Sequence, residues 1–277
     1  MSHRSAVVTG GPLTRTSTNI LVRYLRTLIQ SVRPVVQVRP HRLWEVDVLR
    51  GFAILIMAIY HLAWDLWGLA GWPIDMYGPF WRTWQRVTAT LFIGLVGVSL
   101  HLRYQRAREH PQGRAPYLRA AAIFTWGVVI SVATYLFQPE MYVRFGILHF
   151  IGTAIVLAYL LAPFSWPNLF LGIGLLLLPQ LPWRHDIAWL EWVGMARTVH
   201  PAFDYYPLIP WLGIVLLGIF IGHMLFPRGQ RRVPLPEISP PLLRWLHLAG
   251  QNALLLYLIH QPILIALLIL LGIIPLG

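Results

Sequence analysis

The chain has 277 residues, of which 57% are hydrophobic and only 12% charged. A soluble domain carries about a quarter charged residues, so this chain is too apolar for an ordinary water-facing surface. It contains no cysteine, which excludes a disulfide framework, a zinc–thiolate centre, an iron–sulfur cluster and a cysteine nucleophile. The formal net charge is +12, and all 22 basic residues are arginine. They cluster between apolar runs, which suits loops at anionic lipid headgroups and not nucleic acid.

Residues 1–42 read as a basic N-terminal extension. No cleavable signal peptide is expected, because no apolar h-region with a small-residue cleavage site occurs there. Ile20, Leu21, Tyr24, Leu25, Leu28, Ile29 and Val32 share one helical face, with Arg23, Arg26, Gln30 and Arg33 off it. Residues 20–33 therefore read either as an amphipathic helix on the cytoplasmic membrane surface or as a dispensable extension.

Residues 43–277 hold seven apolar segments, at 47–69, 82–103, 117–137, 146–163, 168–181, 207–226 and 248–274. Each is read as a membrane-spanning helix of an all-α bundle. The fifth is short and ends at Pro179 and Pro182. Trp44, Trp67, Trp81, Tyr117, Trp166 and Trp183 stand at segment ends, as in an interfacial belt. Three arginine groups set the orientation: Arg33, Arg39 and Arg42; Arg103, Arg106, Arg108, Arg114 and Arg119; Arg228, Arg231, Arg232 and Arg244. Seven alternating spans put all three on one side, which the positive-inside rule makes cytoplasmic. The N-terminus is then inside and the C-terminus outside. No internal repeat is evident, which weighs against an inverted-repeat transporter.

Titratable groups inside spans cost roughly 2.5–3.5 kcal/mol on insertion scales, so they mark function. The first span carries Asp47 and Arg50 at i,i+3, then His61 and Asp65 at i,i+4. Asp47 and Arg50 can pair on one face, either as an interfacial structural pair or as a functional one. An aspartate bonded to one imidazole nitrogen sets the tautomer of His61 and strengthens its other nitrogen as a base. The fourth span carries His149, and the seventh carries Gln251, Asn252, Tyr257, His260 and Gln261 before Pro262. At about 1.5 Å rise per residue, His61, Asp65, His149 and His260 share one layer in the outer half. Asp204, ahead of the sixth span, is placed over the outer mouth by the prolines that follow it. His101 and His223 lie near the cytoplasmic ends of their spans, and Arg82 and Arg86 face anionic acceptors or headgroups outside. Three histidines and an aspartate also have the chemistry of a metal site, but the ligands come from separate helices, and none is expected.

These elements occur in longer motifs. The first span contains Val46-Asp47-Val48-Leu49-Arg50-Gly51 and then Tyr60-His61. The fourth opens Phe145-Gly146-Ile147-Leu148-His149, and the sixth Tyr206-Pro207-Leu208-Ile209-Pro210-Trp211. The seventh contains Asn252-Ala253-Leu254-Leu255-Leu256-Tyr257-Leu258-Ile259-His260. The pattern resembles the bacterial members of the heparan-alpha-glucosaminide N-acetyltransferase catalytic-domain family, over residues 43–275. The resemblance implies acyl transfer across a membrane, from cytoplasmic acetyl-CoA or another acyl-CoA to an amino or hydroxyl group of a sugar on the far side. Loop 68–81 lacks the histidine held to be catalytic in the animal enzyme, which leaves His61 and Asp65 nearest, with His149 and His260 as partners. Arg50, Arg103, Arg119 and Asn252 are the candidate acyl-CoA ligands, and Asp204, Tyr257 and Trp64 the candidate acceptor ligands. The expected setting is the plasma membrane, with the lipid bilayer, a sugar or glycan acceptor and a second copy in a homodimer as partners. A proton-coupled transporter or channel, or a scaffold subunit, uses the same buried groups under the rival readings.

Overall fold

The computed structural model describes residues 12–37, 43–109, 115–181, 187–235 and 240–274. They form nine α-helices with short 3-10 turns and, among the described residues, no strand. The helices are α1 (Pro12–Ser31), α2 (Trp44–Gly68), α3 (Pro79–Glu109), α4 (Ala115–Phe137), α5 (Ile147–Tyr159), α6 (Trp166–Leu177), α7 (Leu208–Leu225), α8 (Pro241–Gln251) and α9 (Ala253–Leu270). The all-helical architecture follows from the solvent: in lipid, a backbone that bonds within its own segment leaves no polar group exposed.

Five helices, α2, α3, α4, α7 and α9, are long and apolar enough to cross a bilayer. Two of the seven expected spans are shorter. The 13 residues of α5 and 12 of α6 rise only about 20 Å and 18 Å, against a hydrocarbon thickness near 30 Å. Ordered loops accompany the shortfall. Phe203 N donates to Met141 O at 2.8 Å and Tyr206 N to Phe145 O at 3.0 Å, so the segments before α5 and α7 bond to each other. Between α5 and α6 the buried Asn168 amide donates to Leu161 O and Phe164 O. The expected single helix over 248–274 is instead broken at Asn252, and α8 is a separate amphipathic helix that packs along α2.

Two crossings of small residues set the packing. Gly97 of α3 faces Val215 O of α7, while Gly218 of α7 faces Gly94 O of α3. Gly51 of α2 faces Leu246 O of α8, and Gly250 of α8 faces Asp47 O of α2. At all four positions a Cβ would overlap a carbonyl, so the backbones meet at the closeness that glycine permits. Phe150, Ile93, Val215, Leu216 and Ile219 fill the core beside the first crossing.

One end of the bundle collects the arginines. Arg231 binds Glu45 through two 2.8 Å bonds, joining the turn after α7 to the start of α2, and Gly229 of that turn lies against Gln105 of α3. Arg39, Arg42, Arg114 and Trp183 lie outside the described residues. His101 and His223 clamp α3 and α7 to each other and to the loops beside them. Their rings meet at 4.1 Å, and their Nε2 atoms stand 3.0 Å from Phe226 O and Ala162 O. The helical stretch of the N-terminal extension is longer than 20–33. It is seated on α4 through Tyr24 Oη to Thr125 Oγ1 (2.6 Å) and Trp126 Nε1 to Ser31 Oγ (3.1 Å).

Candidate active site between the second and ninth helices

Four polar side chains meet where α2 faces α9. The rings of His61 and His260 lie edge to face with centroids 4.8 Å apart. Asp65, one turn beyond His61, is 2% exposed. The bond expected between His61 and Asp65 does not form. Asp65 Oδ1 accepts instead from Gln261 Nε2 at 2.6 Å. The reason is local: both i,i+4 side chains of α2 point at α9, and α9 offers an amide donor that satisfies a buried carboxylate.

The orienting arrangement that the sequence assigned to His61 is found on His260. Its Nδ1 lies 2.5 Å from Tyr257 O. A carbonyl can only accept, so Nδ1 carries the proton and Nε2 keeps its lone pair. That Nε2 is buried and has no hydrogen-bond partner. Asp65 Oδ2 and Gln261 Oε1 are likewise buried without partners. One small group thus presents three unmet acceptors, an arrangement that suits a ligand rich in N–H or O–H donors.

Asp204 lies just outside α7 and links this group to the rest of the bundle. Its Oδ2 accepts from Ile147 N at 2.8 Å, at the start of α5, where a carboxylate complements the helix N-terminus. The Tyr257 hydroxyl bonds the same carboxylate, and a Cβ on Gly146 would overlap Oδ2. Burial pushes the Asp204 carboxyl up to about 6, partly offset by the bonds from Ile147 and Tyr257. The unfolded value is 3.8, so between roughly pH 4 and 6 the folded protein holds more protons than the unfolded chain. Stability contributed by this group is full below that window and is lost as pH rises through it. Asp204→Asn removes the titration. The melting temperature of the wild type relative to this variant should therefore fall from pH 4 to pH 7 in detergent; a flat difference would refute the assignment.

His149 stands apart. Its Nδ1 accepts from Gly146 N at 3.3 Å and its Nε2 lies 3.4 Å from Ser131 Oγ, while Phe124 and Phe145 flank the ring. No described ring contact or hydrogen bond joins it to His61 or His260. Both nitrogens are used in holding the 143–146 turn against α4.

Two expected acyl-CoA ligands are engaged elsewhere. Arg50 binds Asp47 Oδ1 at 2.5 Å and Ser99 Oγ at 2.7 Å, with His247 Nε2 3.6 Å from Asp47 Oδ2. This buried network ties α2, α3 and α8 at their small-residue crossing. Asn252 accepts from Val35 N at 2.7 Å and donates to Val35 O at 2.9 Å, pinning the N-terminal segment to the α8–α9 break. Arg103 stands beside Tyr159 at the arginine end, and Arg119 is exposed at the foot of α4.

Trp64 belongs to an aromatic group at the opposite end. Tyr60 stacks on Trp64 (6.3 Å) and touches both His61 (5.6 Å) and Trp81 (6.0 Å). Gln261 and Tyr60 are not among the site residues expected from the sequence, although Gln261 is one of the polar interruptions noted in the seventh apolar run. Among the described residues no three His, Asp or Glu side chains group as a metal site.

A multi-pass helical membrane protein with a cluster of titratable side chains inside its spans is the class that this fold and site define. The family model for heparan-alpha-glucosaminide N-acetyltransferase, catalytic, matches residues 42–262. The chain belongs to that family, whose members are membrane acyltransferases in type. No curated protein and no solved structure matches it.

Proposed function

We propose that the protein is an integral membrane acyltransferase. It moves an acetyl or other acyl group from acyl-CoA at the arginine end to a sugar amino or hydroxyl group reached from the opposite end. The observation that carries this reading is His260: Nδ1 is tied to a backbone carbonyl and Nε2 is an unpartnered base inside an apolar helix. In the reaction the acceptor nitrogen or oxygen attacks the thioester carbonyl. A new C–N or C–O bond forms and the C–S bond breaks. The acceptor proton passes to His260 Nε2 and then to the departing thiolate, giving free CoA. Asp65 and Gln261 accept further acceptor-group protons in hydrogen bonds, and His61 packs the base in place. Arg103 and Arg119 supply charge for CoA phosphates. The plasma membrane, with the arginine end cytoplasmic, is the setting consistent with the arginine distribution.

The test uses protein in lipid nanodiscs with radiolabelled acetyl-CoA and glucosamine oligomers. Transfer of label is expected. Absence of transfer, together with no CoA binding by calorimetry, would sink the proposal. The three unmet acceptors also suit a transported cation, the second reading. Proteoliposome uptake of a cationic solute without acyl-CoA would favour it.

A further inference from the structure

The aromatic group beside His61 extends further than the active site needs. From Tyr60 it continues through Trp64 to Trp67 (5.1 Å) and on to Tyr77 (5.4 Å from Trp67 and 6.1 Å from Trp64). Trp81 of α3 joins from the other side of Tyr60. Exposure rises along this track. Tyr60, Trp64 and Trp67 are partly buried, while Tyr77, in the loop between α2 and α3, is 59% exposed. An interfacial belt spreads tryptophans around all helix ends to meet headgroups. Here the rings contact one another, on two helices, in a run that ends on a site histidine.

We propose that Trp64, Trp67, Tyr77 and Trp81 form an acceptor-binding platform that holds sugar rings of a glycan chain next to the reacting unit. The inference rests on the acyltransferase reading above. The chemistry is general. A pyranose presents a face of C–H groups that packs on an aromatic face, and its hydroxyls stay at the edges in water. Aromatic rings supply large, rigid contact area at low entropic cost. The track leads from the exposed Tyr77 to His61, which touches His260, so a chain lying on it delivers its terminal sugar to the base. A single free sugar spans only the inner end and leaves Trp67 and Tyr77 uncovered. The platform therefore selects for acceptor length.

The experiment compares a glucosamine hexamer with glucosamine monomer, as kcat/KM with acetyl-CoA and as donor-free binding by calorimetry. In the wild type the hexamer is preferred. Tyr77→Ala and Trp67→Ala should each cut the hexamer-to-monomer preference about ten-fold, the scale of one lost aromatic contact. Trp67→Phe should restore most of it, which separates a lost ring face from a misfolded helix. Unchanged preference in both alanine variants would overturn the platform even with transfer intact. Hexamer binding that weakens in the variants, while the wild type neither transfers an acyl group nor binds CoA, would leave the platform standing and the acyltransferase reading refuted.

Discussion

Replacing His260 with alanine is expected to lower kcat by about two to four orders of magnitude, the range for loss of a positioned general base. The expectation comes from three facts that act together. Nδ1–H is committed to Tyr257 O, Nε2 is buried without a partner, and the ring lies against His61. Removal of the imidazole leaves the acceptor proton with no basic nitrogen at that position. His61→Ala should cost less, because it removes packing around the base and leaves the base itself. His149→Ala should act mainly on stability, since its nitrogens hold Gly146 and Ser131. Steady-state kinetics and thermal unfolding of the three variants check the ranking. A His260→Ala enzyme within ten-fold of wild type would place the base elsewhere.

Arg50→Ala should cost about 3–5 kcal/mol of stability, because it leaves Asp47 as a buried carboxylate without its guanidinium. Asp47 is 1% exposed, at the crossing where Gly250 of α8 lies against its carbonyl. Lysine should not rescue the loss. One ammonium cannot reach both Asp47 and Ser99 in the fork that the two guanidinium nitrogens provide. The KM for acyl-CoA should be unchanged in whatever protein folds. A variant of normal stability with a raised KM for acyl-CoA would return Arg50 to the donor site and overturn the structural role.

The V-D-x-x-R-G and N-x-x-x-x-Y-x-x-H elements are both legible in the chain as polar interruptions of apolar spans, but they do different work. The first builds a helix crossing. In the second, Asn252 breaks the helix and holds Val35, while Tyr257 and His260 enter the site. Spacing cannot separate these roles, because i,i+3 and i,i+4 rules say which residues share a face and not what the face meets. Asp65 illustrates the limit. Its helical spacing from His61 is right for a hydrogen bond, yet a donor on another helix takes the carboxylate. The same holds for His149, which shares the expected membrane layer with His61 and His260 but is enclosed by Phe124, Phe145 and α4.

Composition pointed to a membrane protein, since only 12% of its residues are charged, and the length of the apolar runs pointed to helices, one of the two structures that satisfy the backbone in lipid. The apolar runs located the helical segments, except that the last run is two helices, α8 and α9, and α3 continues to Glu109; burial cost singled out the titratable residues within them. Which of those residues meet was decided by tertiary packing. The break at Asn252, the two short helices α5 and α6, the bonded loops that bring Asp204 to Ile147, and the pairing of His61 with His260 all depend on contacts between segments far apart in the chain. Those contacts arise from shape at crossings such as Gly51–Leu246 and Gly97–Val215, where close backbone approach sets the distance and angle between helices. No local pattern encodes which helix lies opposite.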